Sequence, residues 1–97
     1  MVRLFIRHDV ADYGTWREGY DAFDEARRGM GVTGDAVYQA VGNPNDVTVT
    51  HDFESEDAAK AVLSSAELKA AMENAGVVGE PQVWITLAGL ERPREIS

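Results

Sequence analysis

A chain of 97 residues with a formal net charge of −8 and no cysteine is long enough for one domain. Its charge argues against nucleic acid and anionic membrane surfaces as partners, since little in it would displace counterions or be drawn to acidic headgroups. The missing thiols remove disulfides and thiolate metal sites. A chain this short buries only about 60–65% of its unfolded surface, which makes a second copy a reasonable expectation.

Residues 2–9 alternate, with Val2, Leu4, Ile6 and His8 on one face and Arg3, Phe5, Arg7 and Asp9 on the other. That is the period of a half-buried strand. Asp12 is placed to cap the next helix. There Tyr13, Trp16, Tyr20 and Phe23 recur at helical spacing as one aromatic stripe, read mainly as core. The helix is expected to stop at the glycines of residues 29–31. Residues 32–41 predict a second strand, with Val37 and Val41 opposing Ala36, Tyr38 and Ala40. Residues 42–46 carry turn chemistry. Residues 47–53 return as a third strand, with Val47, Val49, His51 and Phe53 opposing Thr48, Thr50 and Asp52, and the two strands make an antiparallel hairpin.

Ser55 opens a second helix, with Glu56 and Asp57 where the macrodipole favours acids. Ser64-Ser65-Ala66-Glu67 has the form of a capping box, so this helix is expected to break and restart, with Leu68, Ala71, Met72 and Ala75 on one side. Residues 76–81 predict a loop that ends where Pro81 can begin a strand. Residues 82–88 predict the last strand, Val83, Ile85 and Leu87 opposing Trp84 and Thr86. His51-Asp52-Phe53 nearly repeats His8-Asp9-Val10 at an equivalent strand–helix junction, which suggests two similar halves. No basic segment followed by an apolar one opens the chain, and its longest apolar stretch falls far short of the ~20 residues of a spanning helix. A cytoplasmic protein is the expectation.

Strand, helix, strand, strand, helix, strand is the ferredoxin-like βαββαβ order, an α+β fold with a four-stranded, antiparallel-type sheet. Right-handed crossovers are expected to set the first and third strands side by side and parallel at its centre. Residues 1–90 form the domain and residues 91–97 a loosely held tail. Val2, Leu4, Ile6, Val37, Val41, Val47, Val49, Phe53, Val83, Ile85 and Leu87 should meet the helices. The opposite face then combines Phe5, Tyr38 and Trp84 with Arg3, Arg7, Asp9, Thr48, Thr50, Asp52 and Thr86, an unfavourable surface to leave wet. A second subunit covering it would enclose a partly polar chamber.

Several segments carry a resemblance: residues 7–13 with Trp16, Gly31-Val32-Thr33-Gly34, His51-Asp52-Phe53, and residues 75–84 ending in Gln82-Val83-Trp84. Together they resemble the dimeric α+β barrel superfamily, and within it the antibiotic-biosynthesis-monooxygenase-like group, which includes cyclases. The resemblance implies a homodimer whose sheets face each other around a ligand cavity. Fold alone does not fix the reaction. The first strand lacks the asparagine of the haem-degrading branch, and the Asn-Trp-Tyr-Arg cluster of the quinone-forming branch does not map residue by residue, so no cofactor is assigned.

Within that chamber Arg7, set beside Asp52, would stabilise an oxyanion; alternatively the two form an ion pair pinning the central strands. Tyr38 or a histidine would move the proton. Phe5, Thr50, Asp52 and Trp84 would hold an apolar or aromatic guest, with Trp16 at the mouth; packing against the second subunit is the alternative for the aromatics. His8 and His51, side by side on parallel strands, suit a general base with Asp9 or Asp52 nearby. Parity puts them among Val and Ile, which favours a structural role, and no ligand spacing supports a metal. The glycine-rich stretches at 29–31 and 76–79 do not follow a strand and open a helix, as a phosphate loop must. The expected activity is cofactor-independent oxygenation or cyclisation of an aromatic, polyketide-like compound; the alternative is a non-catalytic dimeric binding or structural protein.

Overall fold

The computed structural model describes residues 1–94. Its elements run β1 (Val2–Val10), α1 (Tyr13–Ala22), α2 (Asp24–Gly29), β2 (Gly34–Ala40), β3 (Asn43–Phe53), α3 (Glu56–Leu63), α4 (Ala66–Asn74) and β4 (Val77–Leu87). The sheet order is β2-β3-β1-β4 and every pairing is antiparallel. This is the expected ferredoxin-like arrangement with one correction, because β1 and β3 run antiparallel. Each crossover unit skips a strand: β1 is joined to β2 and β3 to β4, and the unit's two strands enclose a strand of the other. The β2–β3 hairpin then fixes β3 against β1.

Local chemistry sets the element ends. The Asp12 carboxylate accepts from the Thr15 amide at 2.9 Å, Ser55 caps α3 through Ala58, and Ser65 caps α4 through Leu68. The break expected between the two later helices is therefore present, with Ser65 as the cap. The first helix also breaks, at Phe23, whose amide is shared between the Gly19 and Tyr20 carbonyls, and α2 continues with Arg27 buried. The hairpin turn is only Val41-Gly42, with Gly42 at φ 87°, so Val41 is fully exposed and not under the helices. Asn43 to Asp46 belong to β3, where the register shifts, and Asn45 accepts from the Tyr13 amide, tying the hairpin to α1. Residues 77–81, expected as loop, are strand. β4 is an edge, and a bulge opposite His8 accommodates Gly79 (φ 74°) and Pro81.

The helices cover the predicted face. Val2, Leu4, Ile6, Val47, Val49 and Phe53 are buried beneath them, whereas Val83 and Leu87, on the edge strand, remain exposed. The core divides into a cluster under α3 and α4, around Leu4 and Phe53, and another under α1, around Trp16 and Val47. On the open face Phe5 stacks on Trp84 at 5.1 Å, and Tyr38 is 58% exposed. The tail beyond β4 is held at Glu91, which pairs with Arg3; residues 95–97 lie outside the described residues.

Candidate functional site

At the seam between the two core clusters lies a cavity of about 40 Å³. The sheet contributes Ile6, His8, Val49 and His51 to its wall, and α1, α2 and α4 contribute Trp16, Tyr20, Arg27 and Met72. Both histidines are buried, at 6% and 3% exposure, as their alternation with valine and isoleucine requires. Yet none of their four ring nitrogens has a hydrogen-bond partner among the described residues. The structural reading of these histidines needed such bonds, since buried polar atoms left unpaired are costly.

The antiparallel register also separates the pair. His8 lies opposite Val47 and His51 opposite Leu4, so four strand residues, about 13 Å, divide their rows. They share the cavity but do not sit side by side. Aromatic rings bridge them: His8 and Trp16 meet edge to face at 5.5 Å, Trp16 lies 5.1 Å from Tyr20, and Tyr20 stacks over His51 at 6.4 Å. The Arg27 guanidinium lies 3.6 Å above the Tyr20 ring, within cation–π range. Its Nη2 is 3.4 Å from Asp24, its Nε is 4.0 Å from Asp35, and that Nε makes no hydrogen bond. The Tyr20 hydroxyl donates to Asp35.

Electrostatics follow from this burial. His51 is pushed down to about 4, first by burial and then by the Arg27 charge, with Asp35 and Asp52 opposing. Burial lowers His8 as well, against the pull of Asp9. Both imidazoles are therefore neutral at pH 7, each with one nitrogen able to accept and one able to donate. Burial and the Asp35 bond push the Tyr20 phenol up, so it stays protonated.

The other sequence-predicted residues lie elsewhere. Arg7 is half-exposed and pairs with Asp46, at 2.7 and 3.0 Å, and not with Asp52. Asp52 takes a bidentate pair from Arg3 at 2.7 and 3.2 Å, because the antiparallel register sets those two residues opposite each other. Phe5, Tyr38, Thr50 and Trp84 share the open face with Arg7, and Thr50 is buried there between its strand neighbours Phe5 and Ala36. Trp16 belongs to the cavity wall. Sequence reading passed over Tyr20 as a site residue and missed Arg27 altogether. The signal was present: Arg27 extends the stripe Tyr13, Trp16, Tyr20, Phe23 at the next helical spacing.

No protein-family model and no curated protein sequence matches the chain. Solved structures do. The chain is similar to a Bordetella bronchiseptica protein provisionally named an antibiotic biosynthesis monooxygenase (TM-score 0.79, 17% identity, 92% of this chain and 97% of that one). It is similar to SnoaB, a cofactor-independent oxygenase from Streptomyces nogalater (TM-score 0.77, 11% identity, 96% and 97%). It is also similar to Rv0793 from Mycobacterium tuberculosis (TM-score 0.67, 17% identity, 94% and 96%). The class this defines is one of fold: the ferredoxin-like α+β architecture of the antibiotic biosynthesis monooxygenase structures. Among the described residues no helix is long and apolar enough to cross a membrane.

Proposed function

We propose that the protein is a cofactor-independent oxygenase of hydroxylated aromatic compounds, and that the reaction takes place at the cavity between helices and sheet. The observation that carries this is the pair of buried, neutral histidines with unpartnered ring nitrogens beside the buried Arg27. A substrate of the anthrone type loses a proton to the accepting nitrogen of His51. The enolate that forms is stabilised by the guanidinium of Arg27 in a water-poor wall. Its carbon forms a bond to O₂, the proton held by His51 passes to the peroxide anion, and the resulting hydroperoxide loses water to leave a carbonyl. One oxygen atom enters the product and the other leaves as water. SnoaB, of the same fold, is a cofactor-independent oxygenase, which supports the reading.

An imidazole at about 4 is a weak base for this task, and that favours a second reading, a small-molecule carrier without catalysis. Against it, the anion forming beside His51 raises that ring's own hold on the proton. In either reading two copies associate through the open sheet face, covering Phe5, Trp84 and Tyr38, in a cytoplasmic homodimer.

The test is oxygen uptake with anthrone under air. His51→Ala should lower the rate by about 100-fold or more, the usual size of a general-base contribution, while Arg7→Ala leaves it nearly unchanged. Loss of activity in Arg7→Ala with His51→Ala unaffected would return the chemistry to the open face. Saturable binding of anthrone with no uptake by the wild type would establish the carrier.

A further inference from the structure

The histidine cavity raises a problem of size. Its 40 Å³ suffices for ordered water, whereas a dry cavity of about 150 Å³ is what takes up a single benzene ring. An aromatic substrate cannot lie wholly inside it. A second and larger cavity of about 460 Å³ runs along the other side of α4, between that helix and β4. This falls in the ~300–1,000 Å³ range of small-molecule sites. Its walls are mainly apolar, with Leu63, Val77, Pro81 and Val83, and the exposed Lys69, Glu73 and Glu80 contribute its polar part. Leu63 and Val83 are 43% and 40% exposed, apolar surface that a bound molecule would remove from water.

The two cavities are continuous in their walls: Ile6, Leu68 and Met72 line both. Leu68 and Met72 project from α4, which carries no fully buried residue, unlike α1 and α3. Met72, unbranched and adaptable, makes a movable partition. We propose that the α4–β4 groove holds the body of a flat apolar ligand of two or three fused rings. Only its hydrogen-bonding edge passes Leu68 and Met72 to reach His51 and Arg27. The inference rests on the oxygenase reading for the chemistry at that edge and adds the place, size and shape of the ligand, with Met72 and Val83 as its specificity-determining walls.

Equilibrium dialysis of the full chain tests it, with 1,8-dihydroxyanthraquinone as the fused-ring probe and phenol as the single-ring control. The anthraquinone should bind at least 30-fold more tightly than phenol. Met72→Trp, which fills the groove from α4, should weaken it at least tenfold. Val83→Trp fills the same space from β4 and gives the same result should the helix variant fail to fold, as judged by circular dichroism. Anthraquinone affinity unchanged in both variants, or no saturable binding to the wild type, overturns the proposal. A changed sedimentation coefficient in either variant would do so as well, assigning the groove to a second copy. Groove-dependent binding without oxygen uptake on anthrone leaves the groove standing and removes the oxygenase. Anthrone turnover indifferent to Met72→Trp does the reverse.

Discussion

His51 and Arg27 line one cavity from opposite layers, and the protonation of the first is governed by its own burial and then by the charge of the second. A histidine held near 4 in the native state and near its ordinary value of 6.5 in the unfolded chain binds its proton only after unfolding over the interval between. Stability is therefore intact above about pH 6.5 and declines as the pH falls toward 4, by roughly 3 kcal/mol for this group. His8 adds in the same direction. Thermal unfolding followed from pH 7 to pH 4.5 should show a falling midpoint, and His51→Leu should flatten much of that decline. Of these residues His51 was legible in the sequence, because strand parity alone put it on the apolar face. Arg27 was marked only by its place four residues after Phe23, where an arginine is more readily read as a polar residue leaving the core. What keeps it inside is the Tyr20 face 3.6 Å away, a contact made only after the helix breaks at Phe23.

Among the helices, α4 is the one without a buried residue. Its N-terminal amides depend on Ser65, whose hydroxyl accepts from Leu68 at 3.2 Å. Ser65→Ala should cost about 1 kcal/mol in urea unfolding and should raise hydrogen exchange first along α4. At its other end α4 runs into Ala75, where the methyl group closely approaches α1: a Cβ added at Gly19 would sit 3.1 Å from the Ala75 Cβ. Gly19→Val should push the two helices apart and lower stability by roughly 1–3 kcal/mol, readable as a drop in unfolding midpoint. Asp12 and Ser55 announce their helices, and the serine pair 64–65 marks the restart, one residue later than the Ser64–Glu67 box implied. The strand over residues 77–81 was not legible, since glycine and proline there read as loop, and only an edge position with a bulge reconciles them with a ladder.

At the level of the whole molecule, the order of elements was enough to give the ferredoxin-like layout, while the direction of β1 relative to β3 was not, because the crossover rule applies to strands that here are never neighbours. That one reversal moved Asp52 from Arg7 to Arg3 and drew the two histidines apart. The open face retains its aromatics, and sedimentation at micromolar concentration should show a dimer that Trp84→Glu reduces to a folded monomer with an unchanged circular dichroism spectrum. A lone protomer in the wild type would leave Phe5 and Trp84 as a solvent-facing stack.

Pro81, without an amide hydrogen, and the kink at Gly79 sit in a border strand of the sheet. A ribbon so interrupted offers no continuous row of donors to an arriving chain. Lateral addition of a strand is disfavoured at that margin, so a chain arriving there meets a poor template.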